Sequence, residues 1–315
     1  MRTFKEKKDV RVLYMGTPAM SATVLEAIIE EGYDVVALVC QEDKEAGRHH
    51  RIEKVPTKIV AEMHNIPVFQ PHRIRLDYEF AKGLDFDVIV TMAYGQIIPQ
   101  GLLDLSKVGN INLHGSLLPK YRGAAPIQRA IMDGEKETGI TLMEMVAAMD
   151  AGQMYDKRSL AIENGDTYSS LSVKLSNLAA TMIREDLFLY ANGLLKGIPQ
   201  MEEEVTIAKK IKPEDEHLPL LESAEEACRY IRGISLEPGA YLLLNEKKLK
   251  VYNAKVFSEE ETGNPYHLIP NKKHFLISFP KGVLELIDVQ MEGKKRMDGV
   301  SFLQGAHLSE DTVIA

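Results

Sequence analysis

The first 115 residues alternate between short apolar runs and stretches with helical spacing, and this rhythm constrains the fold more than any other feature of the chain. Residues 10–15 (VRVLYM) form an apolar run that ends at Gly16. Thr17 can cap a helix, Pro18 suits a first helical turn, and Val24, Leu25, Ile28 and Ile29 follow at helical spacing. A second strand is expected over 33–40 (YDVVALVC), a helix over 54–64 and a third strand over 66–70 (IPVFQ). A fourth strand follows over 87–92 and a fifth over 109–114. Strands separated by helices of about ten residues predict an α/β fold: a Rossmann-like, doubly wound, mostly parallel sheet. Ligands of such sheets bind beyond the carboxyl ends of the strands. Attention therefore falls on residues 16–18, 41–51, 93–99 and 114–122.

Beyond residue 124 the pattern changes. One helix (126–133), two β-rich runs (139–146 and 153–162) and a long helix (167–192) are expected. Gly197, Pro199, Pro213 and the charge runs 202–204 and 209–212 then read as a linker. Short strand-like runs at 240–244, 248–252, 275–279 and 283–289 follow a helix at 224–231. That texture predicts a smaller β-barrel (OB-like) C-terminal domain. The length of 315 residues suits two domains, at about 150 residues each. The expected division is an N-terminal domain over 1–197, a linker over 198–215 and a C-terminal domain over 216–315.

Composition enters as a filter. With 45% hydrophobic and 27% charged residues, the chain is neither a disordered tract nor a disulfide scaffold. No apolar run reaches the roughly 18–20 residues of a membrane span, so no membrane partner is expected. The opening MRTFKEKKD lacks the apolar core of a signal peptide, and Cys40 and Cys228 lie far apart. Reduced thiols and a cytoplasmic location are expected. The net charge of −8 argues against a basic nucleic-acid binder by bulk charge, while leaving local basic patches open.

The chemistry concentrates at Asn112 and His114, two apart near the end of the fifth strand. Period-two geometry puts both side chains on one face. An Asn offers a neutral donor to a developing oxyanion, and a His offers a base near neutral pH. Alone, such a pair is more often structural than catalytic. Asp150, beside the Ala151-Gly152 turn, gains a role only if it lies next to the His114 imidazole. The first turn, Gly16-Thr17-Pro18-Ala19-Met20-Ser21, is not a G-x-G-x-x-G dinucleotide loop. The nine histidines show no ligand spacing, and no metal is expected.

The stretch NINLHGSLLPKYRGAAPIQRAIMDGEKETGITLMEMVAAMDAG, residues 110–152, closely resembles the methionyl-tRNA formyltransferase family. MGTPAMSATVLEAI, EDKEAGR, PVFQP, AYGQIIP and the late GKKRMDGVSFLQG match in order, so the resemblance covers nearly the whole chain. It implies transfer of a formyl group from 10-formyltetrahydrofolate to the amino group of initiator methionyl-tRNA. It implies Asn112, His114 and Asp150 as the catalytic trio. It implies folate contacts from Ser116, Leu117, Leu118 and Pro119 and from Tyr94, Gly95, Gln96 and Ile97. Arg48 matches the loop arginine used on the tRNA acceptor arm, and His49 and Arg51 are expected beside it. A monomer is expected. Two features depart from the family pattern. Glu42, Asp43 and Glu45 make the loop after the second strand acidic first, and residues 216–315 carry 12 basic and 15 acidic side chains. The same chemistry on another amine, such as an amino-sugar nucleotide, is the alternative.

Overall fold

Burial of one apolar run sets the centre of the first unit. Val12, Leu13, Tyr14 and Met15 are fully buried in strand β1 (Arg11–Gly16). Burial on both faces is the mark of a central parallel strand. The computed structural model describes residues 3–46, 51–261, 264–306, 308 and 314. The chain divides into two compact units. The first comprises Met1–Ala124, Glu137–Leu160 and Ser172–Ala208, and the second comprises Ala125–Lys136, Ala161–Leu171 and Lys209–Ala315.

After β1 come α1 (Ala19–Glu30), β2 (Asp34–Val39), the short strands β3 (Lys44–Ala46) and β4 (Arg51–Glu53), and α2 (Pro56–Met63). Then follow β5 (Val68–Phe69), β6 (Val88–Met92), α3 (Gln100–Leu103), β7 (Gly109–His114) and β8 (Arg122–Gly123). Helix α4 (Pro126–Asp133) falls in the second unit. The chain continues with β9 (Glu137–Glu144), β10 (Met154–Ala161), α5 (Tyr168–Ala191) and β11 (Ile207–Ala208). The main sheet runs β10-β9-β7-β6-β1-β2-β5. Strands β5, β2, β1, β6 and β7 are parallel, and β9 joins β7 antiparallel. The expected doubly wound, mostly parallel sheet is therefore present. Its strand order reverses between β1 and β6, the topological point where such sheets open a crevice.

Local structure departs from the expected pattern in several places. Thr17 does not cap α1: the N-cap is Pro18, with no side-chain cap bond. The Thr17 hydroxyl instead donates to the Tyr94 carbonyl at 3.2 Å and accepts the Gln41 N–H at 3.2 Å. The hydroxyl is committed to two partners from other loops at once. The segment after β2, read as a loop, holds the β3–β4 hairpin, with Lys44 opposite Glu53. The segment read as a linker contains β11, which pairs in parallel with β8.

The second unit continues with α6 (Ala224–Gly233), β12 (Ala240–Leu244), β13 (Lys247–Glu261), β14 (Leu268–Ile269), β15 (Leu276–Ser278), β16 (Lys281–Met291), β17 (Met297–Asp298) and α7 (Gly299–Ala306). Ser223 caps α6 by accepting the Glu226 N–H at 3.1 Å, and Ala224, Ala227 and Ile231 form its buried stripe. The sheet runs β12-β13-β16-β15-β14. The β13–β16 pairing shifts register along its length, and such bulges bend strands. The expected small barrel is realised as an antiparallel sheet curled into a half-barrel. Its core includes Leu249, Val251, Phe275, Leu284, Leu286 and Val289. Among the described residues, no helix is long and apolar enough to cross a membrane.

Candidate active site

Strand β7 carries Asn112 opposite Met143 and His114 opposite Thr141, so both side chains share one face of the sheet. His114 is 5% exposed, and Asn112 is half-buried. The His114 Nε2 lies 2.9 Å from the Tyr121 carbonyl oxygen. A carbonyl only accepts, so Nε2 carries the proton in neutral His114, and Nδ1 is the basic nitrogen. Nδ1 faces Asp150 Oδ1 at 3.8 Å, longer than a hydrogen bond but within strong electrostatic reach. The other carboxylate oxygen, Oδ2, accepts the Gly123 N–H at 2.8 Å. The structure thus brings Asp150 to the imidazole, the condition on which its role depended.

Backbone strain gathers here. Ala93, Tyr121 and Asp150 have φ of 49°, 62° and 52°, and Gly123 has φ of 121°. Positive φ in non-glycine residues persists only where the surroundings hold it. A Cβ on Gly123 would sit 2.6 Å from the Ala208 carbonyl oxygen, so no larger residue fits against β11 without movement.

The residues expected around the folate have distinct placements. Ser116 is fully buried and donates to the Lys120 carbonyl at 2.7 Å. Leu118 is also fully buried, and Pro119 is buried beyond the cis Leu118–Pro119 bond. Thr141 fixes this turn by donating to the Ser116 carbonyl at 2.7 Å and accepting the Leu118 N–H at 3.1 Å. Leu117 is half-buried. In the second loop the Tyr94 ring packs into the core, where burial pushes its hydroxyl pKa up. Gln96 also points inward, accepting the Ile74 N–H at 3.0 Å. Gly95 and Ile97 are exposed. The Tyr94 carbonyl takes bonds from Thr17 and from Gln41 Nε2 at 2.8 Å, tying the loops after β1, β2 and β6 together.

Arg48 and His49 lie outside the described residues. Arg51 opens β4, where its backbone pairs with Ala46, and its side chain lies outside the description. The acidity of this loop is partly turned inward. Asp43 Oδ2 meets Lys58 Nζ at 2.5 Å, and its Oδ1 accepts from Gln70 at 3.0 Å. Against the opposing effect of burial, these partners hold the Asp43 carboxyl below its usual range. Glu42 pairs with His72 at 2.9 Å on the surface.

Two site residues escaped the sequence reading. Arg122 is buried, and its Nε donates to Gln200 Oε1 at 2.9 Å. Gln200 Nε2 in turn donates to the Asp150 carbonyl at 2.8 Å. The available signal was weak: Arg122 stands within a conspicuous motif, but Gln200 sits in a segment that reads as a linker.

Comparison with known proteins places the geometry in context. The profile described as formyl transferase matches residues 8–187, and that of the formyl transferase C-terminal domain matches residues 210–307. The chain is 41% identical over 303 residues to the methionyl-tRNA formyltransferase of Lactobacillus gasseri, covering 95% of this chain and 96% of that protein. It is 43% identical over 297 residues to the methionyl-tRNA formyltransferase of Lactobacillus acidophilus, covering 93% and 95%. Among solved structures it is similar in fold to WlaRD, a sugar 3N-formyl transferase determined in the presence of dTDP and 5-N-formyl-THF. That similarity has a TM-score of 0.69 at 18% identity and covers 91% of this chain and 99% of the other.

Proposed function

The chain belongs to the formyl transferase family, and from that premise we propose that it transfers a formyl group from 10-formyltetrahydrofolate to the amino group of initiator methionyl-tRNA. The observation that carries this reading is similarity to methionyl-tRNA formyltransferases at 41% identity across 95% of the chain, spanning both units. The donor supplies a one-carbon group at the formyl level. Exposed Gly95 backbone, exposed Ile97 and half-buried Leu117 suit a flat heterocycle with a hydrogen-bonding edge, while Ser116, Leu118, Pro119, Tyr94 and Gln96 hold the two loops in shape.

In this reading Asn112 donates to the oxygen that becomes negative when the amine attacks the formyl carbon. His114 takes the ammonium proton at Nδ1, because Nε2 is committed to the Tyr121 carbonyl. Asp150 stabilises the imidazolium across the 3.8 Å gap, and His114 returns a proton to the departing nitrogen. Arg48, His49 and Arg51 contact the acceptor arm. The enzyme works as a cytoplasmic monomer in translation initiation.

The test offers purified protein and 10-formyltetrahydrofolate three acceptors: methionyl initiator tRNA, methionyl elongator tRNA and an amino-sugar nucleotide. The reading expects preferential formylation of the initiator, with tRNA affinity falling steeply as salt rises, because phosphate contacts release counterions. Formylation of the amino sugar alone, with shallow salt dependence, overturns it.

A further inference from the structure

We infer that Gln200 is a positioning residue for Asp150, and that Arg122 locks the Gln200 amide in the orientation this requires. The inference rests on the proposed reaction, in which the Asp150 carboxylate acts on His114. An amide nitrogen has two hydrogens, and Gln200 Nε2 makes two bonds, to the Asp150 carbonyl and to the Gly152 carbonyl, both at 2.8 Å. The opposite end of the amide, Oε1, accepts from Arg122 Nε at 2.9 Å. A flipped amide would set oxygen against two carbonyls and NH2 against a guanidinium, so only one orientation satisfies the network. The far side of the Arg122 guanidinium is held by Glu202 at 2.8 Å and 3.4 Å.

This bracing acts where the backbone needs it. Asp150 sits at φ of 52°, and the turn leads directly to Gly152. A Cβ at Gly152 would lie 2.0 Å from the Glu144 carbonyl oxygen, so the turn also has no slack on that side. Rotation of the Asp150 backbone would move Oδ1 relative to the imidazole, changing the 3.8 Å separation on which their attraction depends. The segment containing Gln200 is itself anchored to β10 and to the loop that leads into β8. Ile198 and Met154 exchange backbone bonds at 2.9 Å. The Thr206 carbonyl accepts the Arg122 N–H at 2.9 Å, and its hydroxyl accepts the Tyr121 N–H at 2.8 Å. The segment 198–208 is thus part of the catalytic scaffold.

The experiment is a double-mutant cycle with Gln200→Leu and Asp150→Asn, reading kcat, the KM for 10-formyltetrahydrofolate, the pH profile of kcat and the melting temperature. Gln200→Leu keeps the bulk and removes all three bonds. Misplacement of a reacting group by about 1 Å is worth about 10²-fold. Gln200→Leu should therefore lower kcat by about 10- to 100-fold, with the folate KM within about threefold. It should shift the pH profile in the same direction as Asp150→Asn. In the Asp150→Asn background it should lower kcat by less than about threefold, because the group it positions is gone. Multiplicative losses in the double variant, or an unshifted pH profile, overturn the positioning role. An impaired Asp150→Asn beside a fully active Gln200→Leu overturns this inference alone, whereas a fully active Asp150→Asn overturns the proposed reaction and this inference with it. If Gln200→Leu does not fold, Gln200→Glu carries the same expectation, since it keeps the acceptor for Arg122 but opposes two carbonyls. Failure of both variants to fold makes the residue structural and overturns the proposal.

Discussion

Both units contain non-glycine residues at positive φ, but for different reasons. In the second unit Asn245 and Glu246, at φ of 48° and 65°, are the two residues joining β12 to β13. A two-residue hairpin of the primed type requires φ > 0 at both positions, so topology alone explains them. In the first unit Ala93 follows β6, Tyr121 precedes β8 and Asp150 sits in the long connection between the neighbouring strands β9 and β10, so none belongs to a two-residue hairpin. There the strained backbone directs a carbonyl at His114 and a carboxylate at its other nitrogen. Both units bury polar groups. Ser116, Arg122 and Thr141 are buried to shape the site loops. In the second unit two basic groups lie against aromatic rings. Lys248 Nζ lies 4.3 Å from the Tyr241 ring centroid, and the Arg296 guanidinium carbon lies 4.3 Å from that of Tyr252. The contrast teaches that unusual backbone geometry signals function only after the demands of chain reversal have been subtracted.

The sharpest way to break this comparison is at His114. His114→Ala should lower turnover by about 10²–10⁴-fold, the range of a general acid–base residue. Thermal unfolding should remain cooperative. Retained turnover would mean that the strained loops of the first unit serve stability alone, like the hairpin of the second.

The next effect is one of packing. Phe275 is fully buried in the second unit and stacks on Phe302, with ring centroids 5.6 Å apart. Phe275→Ala should destabilise that unit by about 3–5 kcal/mol. Native-state hydrogen exchange should show faster exchange in β12, β13 and β16, with β1 and β6 protected. Uniform acceleration in both units would contradict it.

A carboxyl pair in the first unit, buried Asp186 beside half-buried Asp156, gives a pH-dependent effect of intermediate size. Burial, and then the charge of Asp156, push the Asp186 carboxyl up to about 6. Asp156 is also opposed by burial, but Arg158 at 2.7 Å holds it below its ordinary range. A raised carboxyl pKa supports the fold while protonated. That support is complete below the unfolded value of 3.8 and is lost as pH rises through about 6. Asp186→Asn cannot ionise. It should match the wild type near pH 4 and exceed it by about 1–2 kcal/mol at pH 7. Urea midpoints at the two pH values measure the difference, and an equal offset at both would refute the assignment.

The smallest effect tests the hairpin. Glu246→Gly removes the left-handed penalty at a position whose side chain is exposed. It should raise stability by about 0.5–1 kcal/mol after the entropy of glycine is counted. A loss of stability would show that Glu246 does more than turn the chain.

Much of this molecule was legible in its residue order. The apolar runs at 10–15 and 87–92 became β1 and β6, because strands buried on both faces must be continuously apolar. Asn112 and His114 could be placed on one face because a strand alternates its side chains. The β3–β4 hairpin was missed because its segment is short, charged and lacks alternation. The reading of Thr17 failed because a local cap is visible in sequence, whereas its actual partners, Gln41 and Tyr94, come from other loops.

The sequence by itself determined the alternating α/β architecture, the antiparallel texture of the second unit and the candidate trio of Asn112, His114 and Asp150. Tertiary structure decided which nitrogen of His114 is free, how far Asp150 stands from it, and that Gln200 bonds the backbone of the turn from Asp150 to Gly152. The physical reason is range. Periodicity and motif spacing record contacts within one element, while a hydrogen bond joining Gln200 to Asp150 links residues fifty positions apart and leaves no local pattern to read.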